Sequence, residues 1–398
     1  MKRLFSIILT GLLFLTAFTF SSANSAVQAE DDHPLLNGVV SDAAIVIDRD
    51  TDQILDEKNA DAQIYPASMT KMMTAILAIE KLPDLNQTVT ITSDTLAGLA
   101  EANATVAGFQ PGDTPTVQDL LYGIALPSGA DASNAAVDLI TDNNRQAFIA
   151  MMNEKAEELG MDHTNFVNDT GLHDDNHYST VRDIAKLLKY CLQNETFQKI
   201  FSAKSYRTSS LSSAPEGILL HSSMWSAARR EDYPVPGLTG GKTGYTVPAG
   251  HCLASWSDVN NMHVMMVTAH ADTPINQMTH LQDANTILTS LQGWSKQTLI
   301  QKNDRIGSIT VHHLFHDETI DVRAPETVQM DLPANTAFQQ ECSIPTTASA
   351  DIRARNLNGS LTITSADQTL YTKKLQVRIP AETNIIARII LRIQKLFH

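Results

Sequence analysis

A chain of 398 residues is too long for one ordinary domain and leads us to expect two or three. Its 43% hydrophobic and 18% charged residues are normal for a globular protein with a large core, and a formal charge of −15 argues against a nucleic-acid partner. The three cysteines, Cys191, Cys252 and Cys342, are widely spaced, with no C-x-x-C and no even framework. Cys252 lies in an apolar run and reads as a small buried hydrophobe. No His, Cys and Glu cluster has metal-ligand spacing, so no metal and no cofactor is expected. His312, His313 and His316 read as a surface loop.

The first residues read as a targeting segment. Lys2 and Arg3 form a basic start, Leu4 to Phe20 is apolar, and Val27-Gln28-Ala29 is a cleavage site followed by Glu30-Asp31-Asp32. An uncleaved anchor is the alternative, although the run is short for a span. The mature chain is then expected to start near Glu30, secreted across the cytoplasmic membrane.

Ala43 to Asp48 reads as a buried strand, Arg49 to Asp52 as a turn, and Gln53-Ile54-Leu55 as the start of a return strand. The segment Tyr65-Pro66-Ala67-Ser68-Met69-Thr70-Lys71 reads as a loop entering a helix, with Pro66 in the first turn. Met69, Met72, Met73 and Ile76 recur at i, i+3, i+4 and i+7, which sends one face into a core, and Pro83 bounds the far end. Ser68 and Lys71 therefore share a face. A serine hydroxyl is a poor nucleophile unless a base takes its proton, and a desolvated lysine can be that base. The helix end also offers unpaired N–H groups to an oxyanion. Taken alone, the same residues also read as a capping serine and a solvated lysine.

Gln87 to Ile91 alternates like a strand, and Thr95 to Gln118 reads as loops with a turn at Pro111-Gly112-Asp113. A helical pattern from Val117 to Gly123 is interrupted at Pro127-Ser128-Gly129 and resumes from Asp131 to Ile140. This places Ser128 at a loop tip between helices, a good position for a site residue. Phe148 to Leu159 is helical, Asn168 to Asn176 is polar, and Ser179-Thr180 caps a helix running to Leu192. Gly240-Gly241-Lys242-Thr243-Gly244-Tyr245-Thr246 is glycine-flanked, so a substrate backbone can approach closely. Thr243 to Ser257 and Met262 to Ala269 read as strands joined by a hairpin at Asp258 to Asn261, and Ile275 to Leu291 as helix.

The strands stand at both ends of this region with helices between, which predicts an α/β domain with a sheet closed by distant segments and a helical insert. From near Leu299 come short alternating stretches: Ser308 to His312, Thr319 to Arg323, Thr327 to Leu332, Ala350 to Arg355, Ser360 to Thr364 and Lys373 to Ile379. They predict a small all-β domain that serves as a spacer or docking module. From Thr383, Ile385, Ile386, Ile389, Ile390, Ile393, Leu396 and Phe397 repeat at helical spacing, opposite Arg388, Arg392 and Lys395. A basic amphipathic helix of this kind lies in a membrane interface, or else packs on the protein's own core. The expected organisation is a signal peptide at 1–29, a catalytic domain at 30–297, a β-rich domain at 298–381 and an amphipathic anchor at 382–398.

Ser68-x-x-Lys71, Ser128 and Lys242-Thr243-Gly244 stand in the order and broad spacing of the penicillin-recognising serine enzymes. The chain resembles the low-molecular-mass penicillin-binding proteins, the serine-type D-alanyl-D-alanine carboxypeptidases, from about Ala43 to Trp294. The match includes Tyr65-Pro66-Ala67, Thr170-Gly171-Leu172, His177-Tyr178-Ser179-Thr180, Tyr245-Thr246 and Ala249-Gly250. The resemblance implies a β-lactamase/transpeptidase-like antiparallel sheet flanked by helices. It implies a peptidoglycan stem peptide ending in D-Ala-D-Ala as substrate and β-lactams as inhibitors, at the cell-wall face of the membrane.

It also implies roles. Ser68 would form the acyl-enzyme, with Lys71 as base and Ser128 as proton relay. Lys242 and Thr243 would bind the terminal carboxylate, and Gly244, Tyr245 and Thr246 the substrate. The Ser68 and Tyr245 N–H groups would hold the oxyanion. Two departures stand out. The family's second motif is S-x-N, whereas this chain has Ser128-Gly129-Ala130; Asn134 is the nearest amide. Related enzymes place an arginine before the last helix to hold the carboxylate. Asn276 to His280 contains none, leaving His280, Arg229 or Arg230 to take its place. The alternatives are a catalytically weak penicillin-binding scaffold and a class A-like β-lactamase. The second lacks S-D-N and an E-x-x-x-N loop.

Overall fold

The computed structural model describes residues 34–230, 235, 237–365 and 368–396; the side chains of Arg229 and Arg230 fall outside this description. The expected signal segment and Phe397 also lie outside the described residues.

In chain order, β1 (Ala43–Asp48) and β2 (Ile54–Lys58) form the expected hairpin. A 3-10 turn at Ala67–Thr70 runs into α1 (Lys71–Lys81). There follow α2 (Val117–Ala125), α3 (Ala130–Thr141), α4 (Arg145–Glu158), α5 (Val181–Cys191) and α6 (Glu195–Ser202). A small ribbon of β3 (Ser205–Arg207) and β4 (Leu219–His221) leads to α7 (Ser223–Arg230). Then come β5 (Leu238–Thr246), β6 (Gly250–Val259), β7 (Met262–Ala271) and α8 (Thr279–Leu291).

The main sheet is antiparallel with strand order β2-β1-β7-β6-β5, so the first hairpin pairs with a strand from far along the chain. Both faces are covered. Ala43 and Ile45 of β1 enter one core with Met72, Ile76 and Leu120; Ala44 and Val46 enter another with Leu281, Ile287 and Leu288 of α8. That is why β1 reads as a continuous apolar run and not as an alternation. Helix α1 is buried from Lys71 to Ala78, including the predicted Met72, Met73 and Ile76 face. Asn260 and Asn261, with φ of 50° and 62°, make the tight turn of the expected β6–β7 hairpin. The fold is the α/β, antiparallel-sheet architecture that the sequence predicts.

Three predicted strands differ. Gln87 to Ile91 forms no strand: its partner segment contains Pro115, which cannot donate, and only the Thr88–Thr116 bridge forms. Thr243 to Ser257 is two strands, because the chain turns at Val247-Pro248-Ala249, with Ala249 N donating to Thr246 O at 3.1 Å. Ala350 to Arg355 is not a strand either. Asp351 Oδ1 accepts from Ile352 N at 2.6 Å, a local turn that competes with ladder pairing.

Beyond α8 lie β8 (Trp294–Ile300), β9 (Arg305–His312), β10 (Asp317–Arg323), β11 (Val328–Pro333), β12 (Gln339–Ser343), β13 (Thr347–Ser349), β14 (Arg355–Ser365) and β15 (Gln368–Ile379). They form sheets β10-β9-β13, β11-β8 and β12-β14-β15 around a core of their own that includes Ile309, Val311, Leu361, Ile363 and Ile379. The loop read as a surface feature is only partly so, since His313 is buried between Glu318 and Glu382. Helix α9 (Ile385–Gln394) follows, capped by Asn384. It buries Ala387 and leaves Ile385, Ile386, Ile389, Ile393 and Leu396 exposed. Among the described residues, no helix is long and apolar enough to cross a membrane.

Candidate active site

A cleft of about 670 Å³ is lined by Ser68, Lys71, Ser128, Thr243, Gly244, Tyr245 and Thr246, which the sequence assigned to three separate motifs. Ser68 stands on the 3-10 turn, one residue after Ala67, whose φ of 45° is left-handed and costs an alanine energy. Two glycines close on this turn. A Cβ on Gly244 of β5 would come within 3.1 Å of Ser68 N and Pro66 O, and one on Gly171 would collide with the Ala67 carbonyl. Thr70 Oγ1 lies 2.7 Å from His177 Nε2, while His177 Nδ1 accepts from Val167 N at 3.1 Å, so Nε2 carries the proton and donates to Thr70. Burial holds His177 down at about 4, so its neutral ring pins the turn.

Lys71 is the first residue of α1 and only 3% exposed. Its Nζ donates to Ser68 Oγ at 3.2 Å and to the Thr170 carbonyl at 2.6 Å. Burial lowers it to about 8, against the pull of the Asp169 and Asp131 carboxylates. A buried amine close to neutrality, in contact with a serine hydroxyl, has what a general base needs.

Ser128 takes the left-handed φ of 65° at the tip between α2 and α3. Its Oγ accepts from Lys242 Nζ at 2.9 Å, and Lys242 also donates to the Thr243 carbonyl at 2.8 Å. Lys242 is buried behind these partners and does not line the cleft. Burial first, then the neighbouring Lys71, holds it well below the usual lysine range. Lys242 has no carboxylate partner among the described residues, so its charge depends on an anion arriving from outside. Strand β5 is the sheet's edge, so alternate N–H groups of Gly244 to Thr246 turn away from β6 and toward the cleft.

Ala130, the first residue of α3, is buried in the cleft wall, where the S-x-N resemblance leads us to expect an amide. Asn134 does not replace that amide. It points away and donates to the Thr95 carbonyl at 2.8 Å, because i+4 on α3 faces the core behind the site. The Thr170 carbonyl gives Lys71 its second partner instead. Sequence reasoning quoted Thr170 without a role and missed three more residues: Asp131, Ser223 and His251. Asp131 accepts from Ala107, Gly108 and Phe109 N at 2.7, 2.9 and 3.1 Å, holding the loop whose residues Ala102 to Thr105 form the opposite wall. Ser223 Oγ sits 3.2 Å from Thr243 Oγ1. His251 and His280 line the cleft next to Tyr245.

The sequence profile of the D-alanyl-D-alanine carboxypeptidases matches residues 26–273. The chain belongs to that family. It is therefore a carboxypeptidase-family hydrolase of the penicillin-binding class. The D-alanyl-D-alanine carboxypeptidase DacF of Bacillus subtilis is 33% identical over 69% of this chain and 67% of its own length. The crystal structure of the Streptomyces K15 DD-transpeptidase is 28% identical with a TM-score of 0.56, over 63% of this chain and 97% of that one. The D-alanyl-D-alanine carboxypeptidase DacD of Francisella tularensis is 20% identical and shares the fold, with a TM-score of 0.70 over 91% of this chain and 98% of that one.

Proposed function

We propose that this family member removes the terminal D-alanine from peptidoglycan stem peptides ending in D-Ala-D-Ala, through an acyl-enzyme on Ser68. Lys71 takes the hydroxyl proton, and Ser68 Oγ bonds to the carbonyl carbon. The N–H groups of Ser68 and Tyr245 hold the oxyanion. Ser128 passes a proton to the leaving amine, and the C–N bond breaks. Lys242, through Ser128 and Thr243, favours the terminal carboxylate, while Gly244, Tyr245 and Thr246 align the peptide. Water then releases the shortened product. The observation that carries this reading is the buried Lys71 amine 3.2 Å from Ser68 Oγ. A fluorescent penicillin should label the protein covalently, and Ser68→Ala should abolish the label; label persisting on that variant would defeat the assignment.

A second reading, a weakly catalytic penicillin-binding scaffold, is favoured by one feature, the methyl of Ala130 in place of an amide. Release of D-alanine from a diacetylated tripeptide separates the two. We also propose that the enzyme works on the outer face of the cytoplasmic membrane, held there by α9. The exposed isoleucines and the basic Arg388, Arg392 and Lys395 suit an anionic lipid surface. The strands from β8 on, with their own core, would serve as the spacer between anchor and catalytic region.

A further inference from the structure

Two imidazoles in the cleft wall are left unused by this mechanism. His251 opens β6 opposite Tyr245, and His280 stands in the first turn of α8. Both are buried and both line the cleft. Their ring centroids lie 5.0 Å apart with the planes 24° from parallel, and Tyr245 lies 4.8 Å from the His251 ring.

The hydrogen bonds fix which nitrogens carry protons. His251 Nε2 lies 3.1 Å from the Pro274 carbonyl, which can only accept, so this nitrogen holds a hydrogen. In a neutral ring His251 Nδ1 is then a bare acceptor. His280 Nδ1, 3.1 Å away, must donate to it. The neutral pair therefore leaves His280 Nε2 as a lone pair. That atom has no partner among the described residues, and it is not sealed from solvent. One added proton converts it from acceptor to donor. Proton transfer along the Nδ1–Nδ1 contact leaves Nε2 protonated whichever ring carries the charge.

A carboxylate entering the cleft needs such a donor. Among the described lining residues, the basic groups are Lys71, His173, His251 and His280. Lys71 contacts the nucleophile and must be neutral to act, Lys242 lies behind Ser128, and His173 faces Asp175 at 3.4 Å. We infer that the His251–His280 pair is a second seat for the substrate's terminal carboxylate and takes up one proton from solvent as the carboxylate binds. This rests on the carboxypeptidase reading above. No covalent bond changes in the step; the proton goes to the pair and the carboxylate stays ionised.

The groups around His280 agree with a neutral ring in the empty cleft. Burial, then His251 and Lys242, hold it down at about 3. His251 comes from β6, and Lys242 and Tyr245 from β5. One turn along α8, Asp283 is committed to Val40 N and Ser41 N at 2.8 and 3.0 Å. On β7, His270 is paired with Asp42 at 2.6 Å, and Asp272 beyond it is exposed. No carboxylate side chain described near the pair supplies the missing charge, so the ligand must.

The test compares a diacetylated tripeptide ending in D-Ala-D-Ala with the same peptide as its C-terminal carboxamide, from pH 5 to 8. For the wild type, KM of the free acid should rise by up to about tenfold per pH unit, while the inhibition constant of the carboxamide stays flat. His280→Gln should raise the free-acid KM on the order of tenfold and flatten its pH dependence, leaving the pH profile of kcat in place. His280→Arg should restore a low KM that no longer depends on pH. Equal pH dependence for acid and carboxamide overturns the proposal. So does a KM slope that survives in His280→Arg, which would put the proton on Lys242. If His280→Gln does not fold, calorimetric titration of Ser68→Ala, which cannot acylate, with the intact D-Ala-D-Ala peptide decides, in two buffers of different ionisation heat. About one proton taken up per peptide at pH 6 supports the pair, and none overturns it. Failure of the carboxypeptidase reading looks different: neither D-alanine release nor penicillin labelling occurs at any pH.

Discussion

On the proposed mechanism, two residues set how fast the site can work. Lys71 is brought to about 8 by burial, so its amine gains its neutral, basic form as pH rises toward that value. The acylation rate by a fluorescent penicillin should climb about tenfold per pH unit below about pH 7.5 and level off above 8.5. Lys71→Arg should abolish it, because a guanidinium stays charged throughout. A flat profile would show that another group is the base. Ala130 is the second residue. An amide here would give one more hydrogen bond to a charged or developing partner, worth about 1.5–3 kcal/mol. Ala130→Asn should therefore raise the acylation rate about tenfold or more, read by stopped flow; a slower variant would show that the wall has closed around the methyl group. Asn134→Ala should leave that rate unchanged and lower stability by about 1–3 kcal/mol, since it orphans the buried Thr95 carbonyl.

At the scale of elements, the site depends on how α3 meets the loop before α2. Buried Asp131 collects three backbone N–H groups of residues 107–109 and a fourth from Ala132 at 2.9 Å. Asp131→Ala leaves those donors unpaired next to the cleft. It should destabilise the protein by about 3–5 kcal/mol and slow penicillin acylation, measured by denaturant melts and label kinetics on the folded fraction. An unchanged melt would mean that water replaces the carboxylate. Helix α9 is held differently. It buries only Ala387 and reaches the body through Lys395, 2.7 Å from Asp351, a partly exposed pair of small worth. A chain ending at Asn384, which keeps the buried Glu382 on His313, should keep its melting temperature within a few degrees and its activity, and should no longer sediment with anionic vesicles. Loss of folding would make α9 part of the core instead.

Across the whole molecule, the catalytic region meets the later strands at a buried acid pair. Asp48 of β1 and Asp331 of β11 are both fully buried; Asp48 Oδ1 is taken by Asp50 N, Thr51 N and Thr51 Oγ1 at 2.9, 2.6 and 2.7 Å. Asp48 Oδ2 and both Asp331 oxygens accept no hydrogen bond from the described residues, and Lys296 Nζ stands 3.8 Å from Asp48 Oδ2. A proton between them satisfies the pair, and Gln53 brackets the Asp331 backbone at 3.0 Å on each side. Burial, with Asp48 beside it, raises Asp331 to about 7, while Asp48 is lowered and stays charged above pH 4. An acid raised in the folded state binds more protons folded than unfolded between about pH 4 and 7. Its contribution is full below pH 4 and is lost as pH rises through 7. The wild type should therefore lose thermal stability between about pH 5 and 7 relative to Asp331→Asn, by at most about 2–4 °C per kcal/mol in a chain of this size. Parallel melting curves for the two proteins would remove the shared proton.

What the sequence determined by itself is what depends on neighbours along the chain. The helical period of Met69, Met72, Met73 and Ile76, the cap at Thr180, the Asn260-Asn261 turn and the spacing of Ser68 to Lys71 are all short-range. They carried the proposed nucleophile, its proposed base and the fold class. What only the tertiary structure decided depends on what comes to lie opposite. Gln87 to Ile91 failed as a strand because Pro115 faced it. Asn134 failed as a substitute amide because its side of α3 turned to Thr95. Thr170 became a partner of Lys71, Asp131 a clamp on a cleft wall, and His251 a neighbour of His280 by contacts between distant segments. The depressed amine of Lys71 has the same origin: the motif supplies the amine, but only packing on every side removes the water that would keep it charged.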